Sequence, residues 1–220
     1  MYHNSLNLLS ILILIFTFTL IASKRQNSYI STFRMQSAIL ALISLIVSIR
    51  EMTVTGKFSE ILIMFALIVA FKVIIIPKYM KLTADRVDYK VEKDFFINIP
   101  LSMIICCGLV VLSWFVINHI QGLTDLNARN FLIYSFSVVL LGLFFMISRK
   151  RAIGQIIGFL VIENGMFLAA MLTTEGMPMI VELGLFFDLL TAFIIMGIFV
   201  FKINNTFDSI DIDKLKNLKG

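Results

Sequence analysis

Lys72, Glu163, Glu182 and Asp188 are ionisable residues set inside long apolar runs. Glu163 sits in Val161-Ile162-Glu163-Asn164-Gly165-Met166-Phe167. Glu182 and Asp188 share Val181-Glu182-Leu183-Gly184-Leu185-Phe186-Phe187-Asp188-Leu189-Leu190. An acid at the centre of a membrane-crossing helix costs roughly 2.5–3.5 kcal/mol on insertion scales. Such acids mark proton or ion paths, or else stay protonated and hydrogen-bond a neighbouring helix. Burial disfavours the charged form of a carboxylate and a nearby cation favours it, so an acid balanced between the two takes up and releases protons in turn. Three acids within 26 residues favour the relay. Lys72 precedes Pro77 by five residues, and two readings of it stand side by side. Either its stem lies in apolar surroundings while the amine reaches the membrane interface, or it turns inward as part of a proton relay.

Two helices must position the acids. One covers residues 152–172 and the other 177–201, joined by a short turn. At about 1.5 Å per residue, Glu163 and Asp188 each lie about 16–17 Å from their own helix ends, near the middle of a ~30 Å hydrocarbon core. Glu182 lies about 9 Å nearer the outside than Asp188. On ideal helices Gly154, Gly158, Gly165 and Ala169 form one narrow stripe, with Glu163 roughly opposite it. Small residues in a stripe let helix backbones approach closely. Asp188 shares a face with Gly184, Thr191 and Ala192, and Glu182 points elsewhere.

The remaining chain is built to the same plan. Apolar residues make up 59 % of the 220 and charged ones 15 %, and the charges are clumped. Further spans are expected at about 6–21, 35–49, 58–76 (closed by Pro77), 100–117 and 130–147. The second is short and borrows Arg34 and Arg50 by snorkelling. Residues 78–98 alternate in charge and read as a solvated loop or short surface helix. The fold class is therefore an all-α polytopic membrane protein of about seven transmembrane helices. Its regions are a four-helix part at 1–128, a three-helix part at 129–202 and a polar tail at 203–220. With seven spans, fifteen Lys and Arg fall on one side and three on the other, and Lys72 lies within a span. The positive-inside rule then places the N-terminus outside and the C-terminus in the cytoplasm.

Composition also excludes functions. The net charge of +5 comes from basic residues at span ends, a topology signal rather than a nucleic-acid surface. Cys106 and Cys107 are adjacent, so they form neither a disulfide framework nor a zinc site. Two cysteines and two separate histidines cannot supply the thiolate sets of iron–sulfur clusters. No cofactor or metal is expected on this chain, and any redox centre belongs to a partner.

At Arg149-Lys150-Arg151, Gly158, Glu163-Asn164-Gly165 and the acid of the next helix, residues 130–220 resemble the K subunit of respiratory complex I. They are also similar to the C subunit of multisubunit sodium/proton antiporters. The closing Asp211-Ile212-Asp213-Lys214-Leu215-Lys216-Asn217-Leu218-Lys219-Gly220 fits as well. With Lys72 and Pro77 added, the whole chain resembles the hydrogenase-4 component E family, in the membrane arm of formate hydrogenlyase-type and energy-converting NiFe-hydrogenases. The resemblance implies a non-catalytic, multi-pass subunit of a bacterial or archaeal plasma membrane, one that helps couple redox chemistry to proton translocation. It implies antiporter-like membrane subunits and a hydrogenase soluble arm as partners, which would carry the NiFe and iron–sulfur centres. Glu163 matches the first relay glutamate of the K subunit. The second match is Asp188 by depth and face, with Glu182 competing. A purely structural anchor, a cation/proton antiporter subunit and a stand-alone transporter are the other readings.

Overall fold

The computed structural model describes residues 2–55, 65–85, 97–120 and 125–173. Within them the chain is helical almost throughout, with no strand. The expected seventh helix, with Glu182, Gly184 and Asp188, and the tail lie outside the described residues.

Helix α1 is Tyr2–Ala22 and α2 is Gln26–Thr55. The segment α3 covers 65–85, α4 is Ile99–Asn118, α5 is Leu126–Ser148 and α6 is Ala152–Thr173. Five of these, all but α3, are long and apolar enough to cross a membrane. The apolar side chains they leave exposed are extensive; on α4 alone these include Leu101, Ile104, Val111, Trp114 and Phe115. Bilayer hydrocarbon is the solvent that such a surface fits. The described residues are thus all but wholly helical, and the chain is a multi-pass membrane protein.

Each helix turns a seam inward. On α1 the buried residues Leu6, Ser10, Ile13, Thr17, Leu20 and Ile21 recur every three or four positions, the spacing of one helix face. The hydroxyls in this seam do not stay orphaned, since Ser10 and Thr17 donate to the carbonyls of Leu6 and Ile13, four residues back. On α2 the seam includes Phe33, Gln36, Ser37, Leu40, Ser44 and Ser48. Small side chains there let neighbouring backbones come close.

Two boundaries differ from the sequence reading. The second apolar run, expected as a short span at about 35–49 that borrows Arg34 and Arg50, lies within a longer helix, since α2 continues through both arginines. An arginine at a span end does not interrupt the backbone ladder, and its long stem carries the charge outward. Nor does Pro77 end the third helix. Residues Val69–Ile75 form a wide π-helical segment, in which the Ile76 N–H bonds the Phe71 carbonyl five residues back. Helix Ile76–Asp85 follows without a break. Proline lacks an N–H, and in an α-helix its ring presses on the carbonyl four residues earlier. The wide segment ends where Pro77 falls, so the missing donor coincides with the change of register. The first residues of the expected polar loop are therefore helical, with Met80 and Ala84 buried and Lys78 and Lys81 exposed.

The tightest contact is between α5 and α6. A Cβ built on Gly158 would lie 2.6 Å from Met146 Cβ and 2.7 Å from its Cα. One on Gly165 would lie 2.8 Å from Val139 Cγ2 and 3.0 Å from the Ser135 carbonyl oxygen. One on Gly142, in α5, would meet the Ile162 backbone nitrogen at 2.9 Å. Glycines from both helices thus make the room.

Arg149, at the bend between α5 and α6, is buried although the sequence places it among surface cations. Its Nη2 donates to the Ile21 carbonyl at 2.8 Å, in the last turn of α1. Its guanidinium carbon lies 4.5 Å from the Phe145 ring centre and 5.1 Å from that of Tyr29. A cation at a helix C-terminus meets the negative end of the helix dipole and its unpaired carbonyls. This residue therefore ties the α5–α6 bend to α1 and α2. Gly154, one turn on, leaves space for it, since a Cβ there would lie 2.8 Å from Arg149 Cβ.

Gly158→Ala should destabilise the protein by about 1–3 kcal/mol, the cost of overpacking a filled contact. Gly108 of α4 has nothing within 4 Å of its Cβ position. Gly108→Ala should be neutral or stabilising by up to about 1 kcal/mol through helix propensity. Thermal unfolding of both variants in detergent checks the pair; equal effects would contradict the packing.

Candidate functional site

Lys72 lies in the wide π-helical segment of α3, thirteen residues before Asp85. Because the helix continues past Pro77, the amine is about 19–20 Å of helix rise from the described end. It turns inward and is fully buried. Its Nζ lies 3.2 Å from Glu163 Oε1 of α6, whose side chain is 1 % exposed. The same Nζ donates to Asn164 Oδ1 at 3.2 Å and sits 4.2 Å from the Phe167 ring centre. The ammonium thus meets a carboxylate, an amide oxygen and an aromatic face, and all three contacts favour a cation.

Successive residues on a helix point about 100° apart, yet Glu163 and Asn164 both reach Lys72. A lysine stem approaching between two adjacent positions is long enough to serve both. Gly158 and Gly165, by contrast, meet α5, so α6 has one close-packed side and one side carrying the charge.

Polar contacts continue beyond the pair. Asn164 Nδ2 donates to Ser37 Oγ at 3.2 Å and to Gln36 Oε1 at 3.4 Å, both on α2. Gln36 Nε2 donates to Thr17 Oγ1 on α1 at 2.9 Å and reaches the Ile13 carbonyl at 3.5 Å. Lys72, Glu163, Asn164, Ser37, Gln36 and Thr17 are all buried. They form one polar strip across α1, α2, α3 and α6. Gln36 is ten residues into α2 and Glu163 eleven into α6, so both lie about 15–17 Å from their helix starts.

The sequence singles out Lys72 and Glu163 but does not show that they meet. It misses Gln36, Ser37 and Thr17 and treats Asn164 only as part of a motif. An amide inside an apolar run was the available signal, since buried polar groups need partners. Among the described residues no group of three His, Cys, Asp or Glu stands close enough to hold a metal ion.

A multi-pass helical protein with a lysine–glutamate pair buried between its helices belongs with membrane proteins that bury charge inside the helix bundle. Comparison with known proteins narrows this. The chain is 34 % identical over 128 residues to an uncharacterized protein of Mycobacterium tuberculosis, and the match spans 58 % of the length of each chain. It is 26 % identical over 149 residues to hydrogenase-4 component E of Escherichia coli K12, covering 68 % of this chain and 69 % of that one. Hydrogenase-4 component E of Shigella flexneri gives the same figures. No protein-family model and no solved structure matches. The chain is thus similar to hydrogenase-4 component E over about two thirds of its length.

Removing one partner of a buried ion pair leaves an uncompensated charge, at a cost of about 3–5 kcal/mol. Lys72→Met should therefore destabilise strongly, and Lys72→Met combined with Glu163→Leu should recover much of the loss. A double-mutant cycle on thermal stability in detergent measures the coupling; additive single effects would mean that the two charges do not interact.

Proposed function

We propose that this chain is a membrane-arm subunit of a group 4 NiFe-hydrogenase complex, of the hydrogenase-4 or formate hydrogenlyase kind. In this reading it helps couple redox chemistry to proton translocation through buried carboxylates. The observation that carries the proposal is the Lys72–Glu163 pair, 3.2 Å apart and buried among apolar helices. Similarity to hydrogenase-4 component E supports the hydrogenase setting. The NiFe and iron–sulfur centres are assigned to partner subunits, a soluble arm and antiporter-like membrane subunits.

A carboxylate held by a cation is a proton acceptor whose strength follows the cation's distance, because a nearby positive charge favours the ionised acid. In this reading Glu163 takes up and releases the proton as the charge of Lys72 moves. Redox-driven changes in neighbouring subunits would move the charge. Asp188, with Glu182 as the competing choice, is proposed as the second acid of the path. The proposed orientation in the bacterial or archaeal plasma membrane has the N-terminus outside and the C-terminus in the cytoplasm.

In the assembled complex, Glu163→Gln should lower proton pumping roughly tenfold or more, the scale of losing one positioned proton-transfer group. Hydrogen chemistry should persist. Pumping is read from vesicle acidification alongside hydrogen turnover, and full pumping with normal assembly would overturn the proposal.

A second reading, a structural anchor that carries no protons, is favoured by the glycine-lined α5–α6 contact and the Arg149 tie. Under it Glu163→Gln is silent and Gly158→Leu breaks assembly. A subunit of a cation/proton antiporter complex would instead purify without hydrogenase subunits.

A further inference from the structure

The hydrogen bonds beyond Lys72 have a direction, and both ends dictate it. At one end the Ile13 carbonyl can only accept, and it already takes the Thr17 hydroxyl proton at 2.9 Å. The Gln36 atom that faces both the Ile13 carbonyl and Thr17 Oγ1 must therefore be its NH2 group. This turns Gln36 Oε1 toward Asn164, which must answer with its own NH2 group. Asn164 Oδ1 is then left facing Lys72. At the other end an ammonium can only donate, and it requires the same orientation. The two ends agree through two amides, each of which has a reversed state that would clash electrostatically with its neighbours.

We propose that Asn164, Gln36 and Thr17 are positioning residues: they form a directional hydrogen-bond file that holds an acceptor oxygen on Lys72 and so keeps its ammonium against Glu163. A neutral lysine amine can accept as well as donate, so it gains less from a fixed acceptor than the ammonium does. The file thus favours the ionic form of the Lys72–Glu163 pair over the form in which the proton has passed to the carboxylate. In that transfer the N–H bond breaks, the carboxylate O–H forms and no other reactant takes part. Amides neither take up nor release protons near neutral pH, so this side of the pair transmits orientation and not protons. The role assigned here rests on the proton-transfer reading of Glu163, but its test does not require pumping.

The experiment is infrared spectroscopy of the full-length chain, purified with its accompanying subunits and reconstituted in lipid. The bands of ionised and protonated Glu163 are identified by their loss in Glu163→Gln. Gln36→Met keeps the side-chain shape, touches neither charged group and removes the orienting amide. It should shift the pair from ionic toward neutral by about 2–10-fold, the scale of one neutral hydrogen bond. Thr17→Val should shift it in the same direction by less, because the Ile13 carbonyl remains, and Thr17→Ser should restore the original balance. If Gln36→Met fails to assemble, the two Thr17 variants carry the test. A lower melting temperature with unchanged Glu163 bands would overturn the positioning role and leave only interhelical attachment. Full pumping by Glu163→Gln would overturn the proton-transfer reading instead, while the bands would still report whether the file orders the pair.

Discussion

A lysine ammonium and a glutamate carboxylate 3.2 Å apart, neither more than 1 % exposed, set the terms for the helices around them. Taking two charges out of water carries a penalty that attraction between them repays only with good geometry and further hydrogen bonds. Here Asn164 supplies one such bond and Phe167 its ring face. The penalty also explains why polar groups persist on α1 and α2, where leucine would be easier to insert. Buried amides need partners of their own, so one ion pair leads to a strip that ends on a backbone carbonyl. A buried ion pair is weak evidence for stability and better suited to specificity or switching, which fits the proposed proton-transfer role.

Packing serves the same strip. Lipid is as apolar as the helix surfaces, so association between helices depends on close contact and hydrogen bonds rather than on escape from water. Gly142, Gly158 and Gly165 bring α5 and α6 together, and serines line the buried face of α2. Arg149 joins the end of α5 to the end of α1, and α5 packs against α1 in the bundle. Similarity to hydrogenase-4 component E gives the helices a biological frame, and the chemistry of the strip gives them a physical one.

Much of this was legible in the residues. Charge clumping and apolar run length placed α1, α4, α5 and α6 within a few residues of their observed bounds, because a span must be apolar for about 20 residues wherever it packs. Lys72 and Glu163 stood out since an ionisable side chain in such a run carries a cost that is local to the sequence. The α2 bounds and the passage of α3 through Pro77 were not legible. In α3 helical continuity depends on a change of hydrogen-bond register, and no residue type announces it.

The pairing itself belonged to the tertiary structure. Sequence placed Glu163 near the middle of its helix, because depth follows from counting along one helix, and left Lys72 between the interface and the interior. It could not determine that Lys72 meets Glu163 and Asn164, nor that Gln36 and Thr17 extend the contact. Those positions are up to 147 residues apart (17 to 164). Their meeting is fixed by how four helices rotate and approach one another, which glycine contacts, hydroxyl back-bonds and one buried arginine decide together.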